Sequence, residues 1–317
     1  MKILCAGQIV ADILACPIEK VDFNVDTCKV DQIKIRSGGD AQNVAVDLAR
    51  LGNHVGFCGC VGDDLLGSFL LNTLLESGVY NEYISILPDV STSSCLCIIN
   101  KEGDRSFFYY GGANEIFSEE QVTDTMLSAY DHLHVGGVFL LPSFDGEGTA
   151  GLLARARNMG LTTSMDITWD VNGRWSQLIG GVYRYLDIFF PSIKEAEKLA
   201  ETDSVEEMAN FFLENGVGTV VIKLGKSGCY TRNRQQSFFS NAFQVEATDT
   251  TGAGDAFVAG FLTAMGQGSD YYVCSQWGNA VAAHAVSSLG ATDGVPDRRT
   301  IENWLAERNI KDMERFL

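Results

Sequence analysis

An α/β fold built on a mostly parallel sheet is the architecture that this chain of 317 residues predicts. Two observations carry the prediction. Short apolar runs alternate with longer amphipathic ones, the order expected of parallel strands joined by crossover helices. In addition, residues 249–261 read Asp-Thr-Thr-Gly-Ala-Gly-Asp-Ala-Phe-Val-Ala-Gly-Phe, a glycine turn opening an apolar helix with one carboxylate in its first turn. Hydrophobic residues make up 46% of the chain, enough for a full core. There is no internal repeat, low-complexity tract or Pro/Ser-rich linker, so a single domain over 1–317 is expected.

Element by element, Lys2–Gly7 forms the first strand. Residues 40–51 place Ala41, Val44, Ala45, Leu48 and Ala49 on one helical face, and Gly52 stops the helix. A strand at 55–61 and a helix at 64–76 follow. Further strands are expected at 132–135, 162–166, 186–190 and 219–224, with helices at 147–159, 194–200 and 205–215 between them. The C-terminal third is helical, with elements at 270–289 and 298–308 after the helix opening at Gly254. Residues 30–36 and 94–100 break the rhythm, and Lys101-Glu-Gly-Asp turns the second into 106–110. These segments predict a small antiparallel sheet standing off the main layer as a lid, drawn from about 12–38 and 90–114. A plain extension of the main sheet would give the same pattern.

Charge and cysteine content limit the function. Lys and Arg number 23 against 41 Asp and Glu, a formal charge of −18 that argues against nucleic acid or anionic membrane as partner. No run of 18 apolar residues is present, and the opening residues lack the long apolar core of a signal peptide, so a cytoplasmic protein is expected. The nine cysteines include no Cys-x-x-Cys pair, which indicates neither a zinc ribbon nor a thioredoxin-type site. Gly225-Lys-Ser resembles the end of a P-loop, but Val220 stands where that loop needs its first glycine. Phe257 likewise replaces the third glycine of a dinucleotide fingerprint. His132 and His134 alternate along a strand without metal-spaced partners, and a structural role is expected for both. No Gly-x-Ser-x-Gly elbow suggests an esterase.

What remains is phosphate chemistry. The unpaired N–H groups around Gly252, Ala253 and Gly254 suit an anion, and Asp255 beside them could take a proton from a hydroxyl. An ordinary helix start accounts for the same residues, because Asp is favoured in a first turn. Upstream, Gly38-Gly39 let the backbone approach a ligand closely ahead of Asn43; a tight turn capped by Asp40 is the plainer alternative.

Residues 38–45, Gly-Gly-Asp-Ala-Gln-Asn-Val-Ala, with Leu-Ala-Arg-Leu-Gly at 48–52, resemble the N-terminal signature of the ribokinase-like (PfkB) carbohydrate kinases. Residues 249–260 resemble their C-terminal signature, and 61–67, 112–114, 223–228 and 279–280 are similar to further family positions in the expected order. The resemblance covers roughly residues 1 to 295. It implies a three-layer α/β/α sandwich with a small β-sheet lid, and ATP-dependent phosphorylation of a primary hydroxyl on a small sugar or sugar acid. In that scheme Asp255 is the general base and Gly252, Ala253 and Gly254 are the anion hole. Asp12, Gly38, Gly39, Asn43 and Asn114 would face the sugar; Lys223, Gly225, Gly228, Asn279 and Ser192 would face ATP. Glu195 would help organise Mg²⁺, and backbone groups at Asp249 and Thr251, with the loop near Gly290, would hold a monovalent cation, K⁺.

Two departures from the family pattern stand out. Ser192 occupies the position of the family's Asn in Asn-x-x-Glu, so Glu195 is either a metal organiser or a solvated helix-face charge. Asp170 and Arg174 lie in a segment similar to that of 2-keto-3-deoxygluconate and fructose kinases but irregularly spaced; Arg174 would touch an acidic group or pair with Asp170. A nucleoside kinase is the nearest alternative, with Phe107, Phe108 and Tyr109 as stacking surface, and a non-catalytic sugar or nucleotide sensor is the other. A homodimer is expected from the exposed edges of the lid strands.

Overall fold

In the computed structural model, which describes residues 1–21, 23–102 and 105–308, the chain folds into a large sheet wrapped by helices and a smaller sheet beside it. In chain order, β1 (Lys2–Gly7), β2 (Val10–Cys16) and β3 (Gln32–Gly38) precede α1 (Asp40–Arg50). Then come β4 (His54–Gly62), α2 (Leu65–Glu76), β5 (Tyr80–Leu87), β6 (Ser94–Ile99) and β7 (Arg105–Tyr110). The middle of the chain holds the short α3 (Asp124–Leu127), β8 (His132–Val138), α4 (Glu147–Asn158), β9 (Thr162–Ile167), α5 (Trp175–Ile179) and β10 (Ile188–Phe189). It closes with α6 (Ile193–Ala200), α7 (Val205–Glu214), β11 (Thr219–Lys223), β12 (Cys229–Asn233), β13 (Ser237–Ser240), α8 (Ala253–Gly266), α9 (Tyr271–Val286) and α10 (Arg298–Glu307).

The large sheet has the order β13-β12-β11-β10-β9-β8-β1-β4-β5, parallel except at its β11-β12-β13 end. Alternation along β1 shows why both faces are covered. Ile3 and Cys5 pack with Val44, Leu48, Phe257 and Phe261 of α1 and α8 on one side. Leu4 and Ala6 pack on the other with Leu133, Leu152, Phe189 and Phe212. A parallel strand buried on both faces reads as a continuous apolar run, which is how the interiors of β1 and β11 appear in the sequence. His132 and His134 are fully buried in β8 and bond the Thr162 and Ser164 hydroxyls of β9, the structural role expected of them.

The small sheet has the order β3-β2-β6-β7. It is not wholly antiparallel: β2 pairs with β3 and β6 with β7 in antiparallel fashion, but β2 and β6 run parallel. The expected strands at 30–36, 94–100 and 106–110 are present with shifted ends, whereas β2 was not anticipated. The turn expected at 101–104 falls partly on Gly103 and Asp104, outside the described residues. The strand expected at 186–190 pairs only over Ile188–Phe189. Pairing also separates the expected stacking residues: Phe107 lies opposite Cys97 and Tyr109 opposite Cys95 on one face, while Phe108 lies opposite Leu96 on the other, and both phenylalanine side chains are exposed. Among the described residues, no helix is long and apolar enough to cross a membrane.

Candidate active site

Side chains gather where the parallel strands end, the edge at which open α/β sheets bind ligands. β9 delivers Asp166 and β11 ends in Lys223, whose Nζ donates to Asp166 Oδ2 at 2.6 Å. Ser192 bridges to Lys223 in parallel fashion and opens α6. The Ser192 N–H donates to Glu195 Oε2 at 2.7 Å while its hydroxyl accepts from the Glu195 N–H at 3.4 Å, a reciprocal cap. Ser192 thus keeps the helix start that an Asn would provide.

Above them α8 begins behind Gly252, which sits at φ 73°. A Cβ there would lie 2.3 Å from the Ala291 carbonyl oxygen, so only glycine fits the turn. No side chain caps this helix start, and the first N–H groups of a helix lack partners within it. Gly252, Gly254 and Asp255 line a cavity of about 430 Å³ together with Asp40, Glu195 and Lys223. A second cavity, of about 360 Å³, lies between Lys226, Phe243, Val245, Phe257, Asn279 and Val286. Lys223, Gly225 and Gly254 belong to both cavities and form the wall they share. Gly228 and Ala253 line the second.

The double-glycine bend meets the same place. A Cβ on Gly38 would lie 2.2 Å from Asp12 Oδ2, so the missing side chain lets β3 close over the β2 carboxylate. Gly39 caps α1, and Asn43 in its first turn donates from Nδ2 to Asp255 Oδ2 at 2.8 Å. Asn114 is fully buried behind these residues. Its amide donates to the Ile9 carbonyl and the Tyr109 hydroxyl and accepts from the Ile9 N–H, so its polar groups are taken up within the protein. Asn279 donates to Ser240 and Asn241 at the wall of the second cavity. The Asp170 carboxylate accepts from the Asn172 and Trp175 N–H groups, a turn role, and not from Arg174.

Electrostatics favour a base at Asp255. Burial, reinforced by Asp40 and Asp166, pushes its carboxyl well above the usual range, against the pull of Asn43 and Lys223. Burial, with Asp166, raises Asp40 to about 7, and burial raises Asp12 to about 7. Burial opposes the charge on Lys223, but Asp166 and Glu195 outweigh it and hold the ammonium protonated. A carboxylate whose proton affinity is raised is a stronger base toward a hydroxyl proton.

The sequence offers Asp40 a turn-capping role as one alternative and Asp166 no role in the site; a carboxylate at the C-terminal end of a parallel strand is the signal that marks Asp166. Arg105 likewise carries no signal in the sequence. This residue opens β7 of the small sheet and reaches Asp249 and Thr251 in the loop before α8.

The model of the pfkB family carbohydrate kinases matches residues 1–298. The chain is 33% identical over 286 residues to the 2-dehydro-3-deoxygluconokinase of Bacillus subtilis, covering 86% of this chain and 87% of that one. Its fold superposes on the ribokinase of Thermotoga maritima with a TM-score of 0.83 at 27% identity, over 96% of this chain and 99% of the other. An E. coli chain solved with ATP and Mg²⁺ gives a TM-score of 0.82 at 25% identity, with 96% and 99% covered.

Proposed function

We propose that this chain, which belongs to the pfkB family of carbohydrate kinases and is a sugar kinase, transfers the γ-phosphoryl group of ATP to a primary hydroxyl of a small sugar or sugar acid. The observation that carries the proposal is the position of Asp255. It stands in the first turn of α8, where the two cavities share a wall, and is bonded to Asn43 from the double-glycine bend.

ATP would lie in the second cavity, its base among Phe243, Val245 and Val286 and its phosphates pointing along Lys223 and Gly225 toward Gly254. The amides of Gly252, Ala253 and Gly254 would stabilise charge on the transferring group, which in-line transfer needs more than covalent help. The sugar would occupy the space bounded by Asp12, Gly38, Gly39 and Asn43, its hydroxyl facing Asp255. Among the described residues no three His, Cys, Asp or Glu side chains are placed to hold a metal by themselves. That donor set fits Mg²⁺, which keeps waters and binds through one or two carboxylates plus phosphates; Glu195 and Asp166 are the carboxylates in reach. When bound, the ion would offset phosphate charge. The small sheet would act as the lid, excluding water once sugar is bound. A homodimer would use its outer face, where Ile33, Ile35, Leu96 and Phe108 are exposed, and sedimentation velocity decides this.

The test is ADP release over a panel of ketoses, aldoses, keto-deoxy acids and nucleosides. Sugar- or sugar-acid-dependent ADP release is expected. Turnover with nucleosides alone, or ligand binding without any ADP, contradicts the proposal.

A further inference from the structure

Arg105 joins the small sheet to the loop that precedes the anion hole, and nothing in the proposed transfer uses it. Its Nη2 donates to Asp249 Oδ1 at 2.8 Å and its Nη1 to the Thr251 hydroxyl. The same Asp249 Oδ1 accepts the Thr251 N–H at 2.8 Å, and Oδ2 accepts the Gly290 N–H at 2.9 Å. The pair is sheltered, with side-chain exposures of 18% for Arg105 and 5% for Asp249. Burial alone would raise the Asp249 carboxyl, but Arg105 and the Gly290 and Thr251 groups hold it below the usual range.

The side chains of Asp249 and Thr251 therefore offer no ligand to a monovalent cation, and one held by the backbone of this loop would sit beside Arg105. Both oxygens of the one carboxylate are already bonded, the Thr251 hydroxyl is taken, and a cation entering there would meet a guanidinium of like charge. We propose that the Arg105 guanidinium is a built-in replacement for the monovalent cation, a positioning residue that stiffens residues 249–252 ahead of the anion hole and ties them to β7 of the lid. A charged, bidentate donor in a sheltered site suits the task, because it supplies fixed positive charge and geometry together. The inference rests on the kinase function proposed above, with a readout that does not need turnover.

The experiment compares the native chain, Arg105→Ala and Arg105→Lys in KCl and in choline chloride at equal ionic strength, measuring the melting temperature and ADP release. The native chain is expected to melt at the same temperature in both salts and to turn over at the same rate. Arg105→Ala is expected to lose about tenfold or more in kcat in choline, the scale of one lost charge-assisted contact. KCl, or millimolar guanidinium, should restore part of that rate, and KCl should raise the melting temperature of this variant. Arg105→Lys should fall between the two. A native chain that K⁺ stabilises or activates severalfold overturns the proposal, as does an Arg105→Ala protein with native rate and no salt response. If no substrate is phosphorylated by any variant, the kinase function falls, while the melting comparison still decides the role of Arg105.

Discussion

Asn43 and Asp255 lie 212 residues apart in the chain and meet in a 2.8 Å hydrogen bond that joins the two glycine-rich turns. The bond favours the ionised carboxylate, so it trims a basicity that burial has raised. Asn43→Ala removes that donor and should push the Asp255 carboxyl higher still. The acidic limb of the kcat/KM profile should then move to higher pH, since a higher pKa leaves the base protonated over more of the range. A limb that stays in place would show that Asn43 does not tune this group.

Gly252 is tested by a single methyl group. At φ 73°, with the Ala291 carbonyl 2.3 Å from a would-be Cβ, Gly252→Ala must displace the loop that builds the proposed anion hole. A cost of about 1–3 kcal/mol in stability is expected for the strained backbone. The fall in kcat should be larger than that stability loss alone would cause, because amides a fraction of an ångström out of place lose most of their effect. Urea unfolding and steady-state kinetics on the same preparation check both.

Asp12 makes stability depend on pH. Its folded carboxyl titrates at about 7 and an unfolded Asp near 3.9, so between those values the folded state holds the extra proton. Its contribution is therefore fully present below about pH 4 and is lost as pH rises through 7. Asp12→Asn removes the dependence. The variant should gain stability over the native chain from pH 4.5 to pH 8, on the order of 2 kcal/mol after allowing for remaining solvent contact. Thermal melts at the two pH values measure it, and the same variant should bind sugar poorly.

Lys223 compensates a cavity rich in carboxylates. Lys223→Met leaves Asp166 without its 2.6 Å partner in a site where that side chain is only 3% exposed. Removing one member of such a pair costs about 3 kcal/mol or more. The unfolding midpoint in urea should fall accordingly, and the KM for ATP should rise, because Lys223 lines both cavities.

Strands buried on both faces and the amphipathic α1 were legible because their periodicity survives in a single sequence. β2 was not, since Val10–Cys16 mixes an inward Asp12 with apolar neighbours and serves a sheet assembled from distant segments. The glycine turns were legible for a related reason: a position that admits no Cβ leaves a trace at that position. Arg105 left none. Its partners Asp249 and Thr251 lie more than a hundred residues away, and an arginine at a strand start looks like any surface charge. Asp40 was visible as a residue but not as a member of a carboxylate cluster, which exists only once β9 and α8 are folded beside α1.

In the proposed transfer, Asp255 accepts the proton of the hydroxyl attacking ATP. The most direct test of this role is Asp255→Asn, measured by ADP release and by isothermal titration with sugar and with nucleotide. The isosteric amide can still pack in the first turn of α8 but cannot act as a base. The expected result is a loss in kcat of about 10³-fold or more with both ligands bound nearly as well as before. An Asp255→Asn protein that turns over at a rate close to native would contradict the assignment.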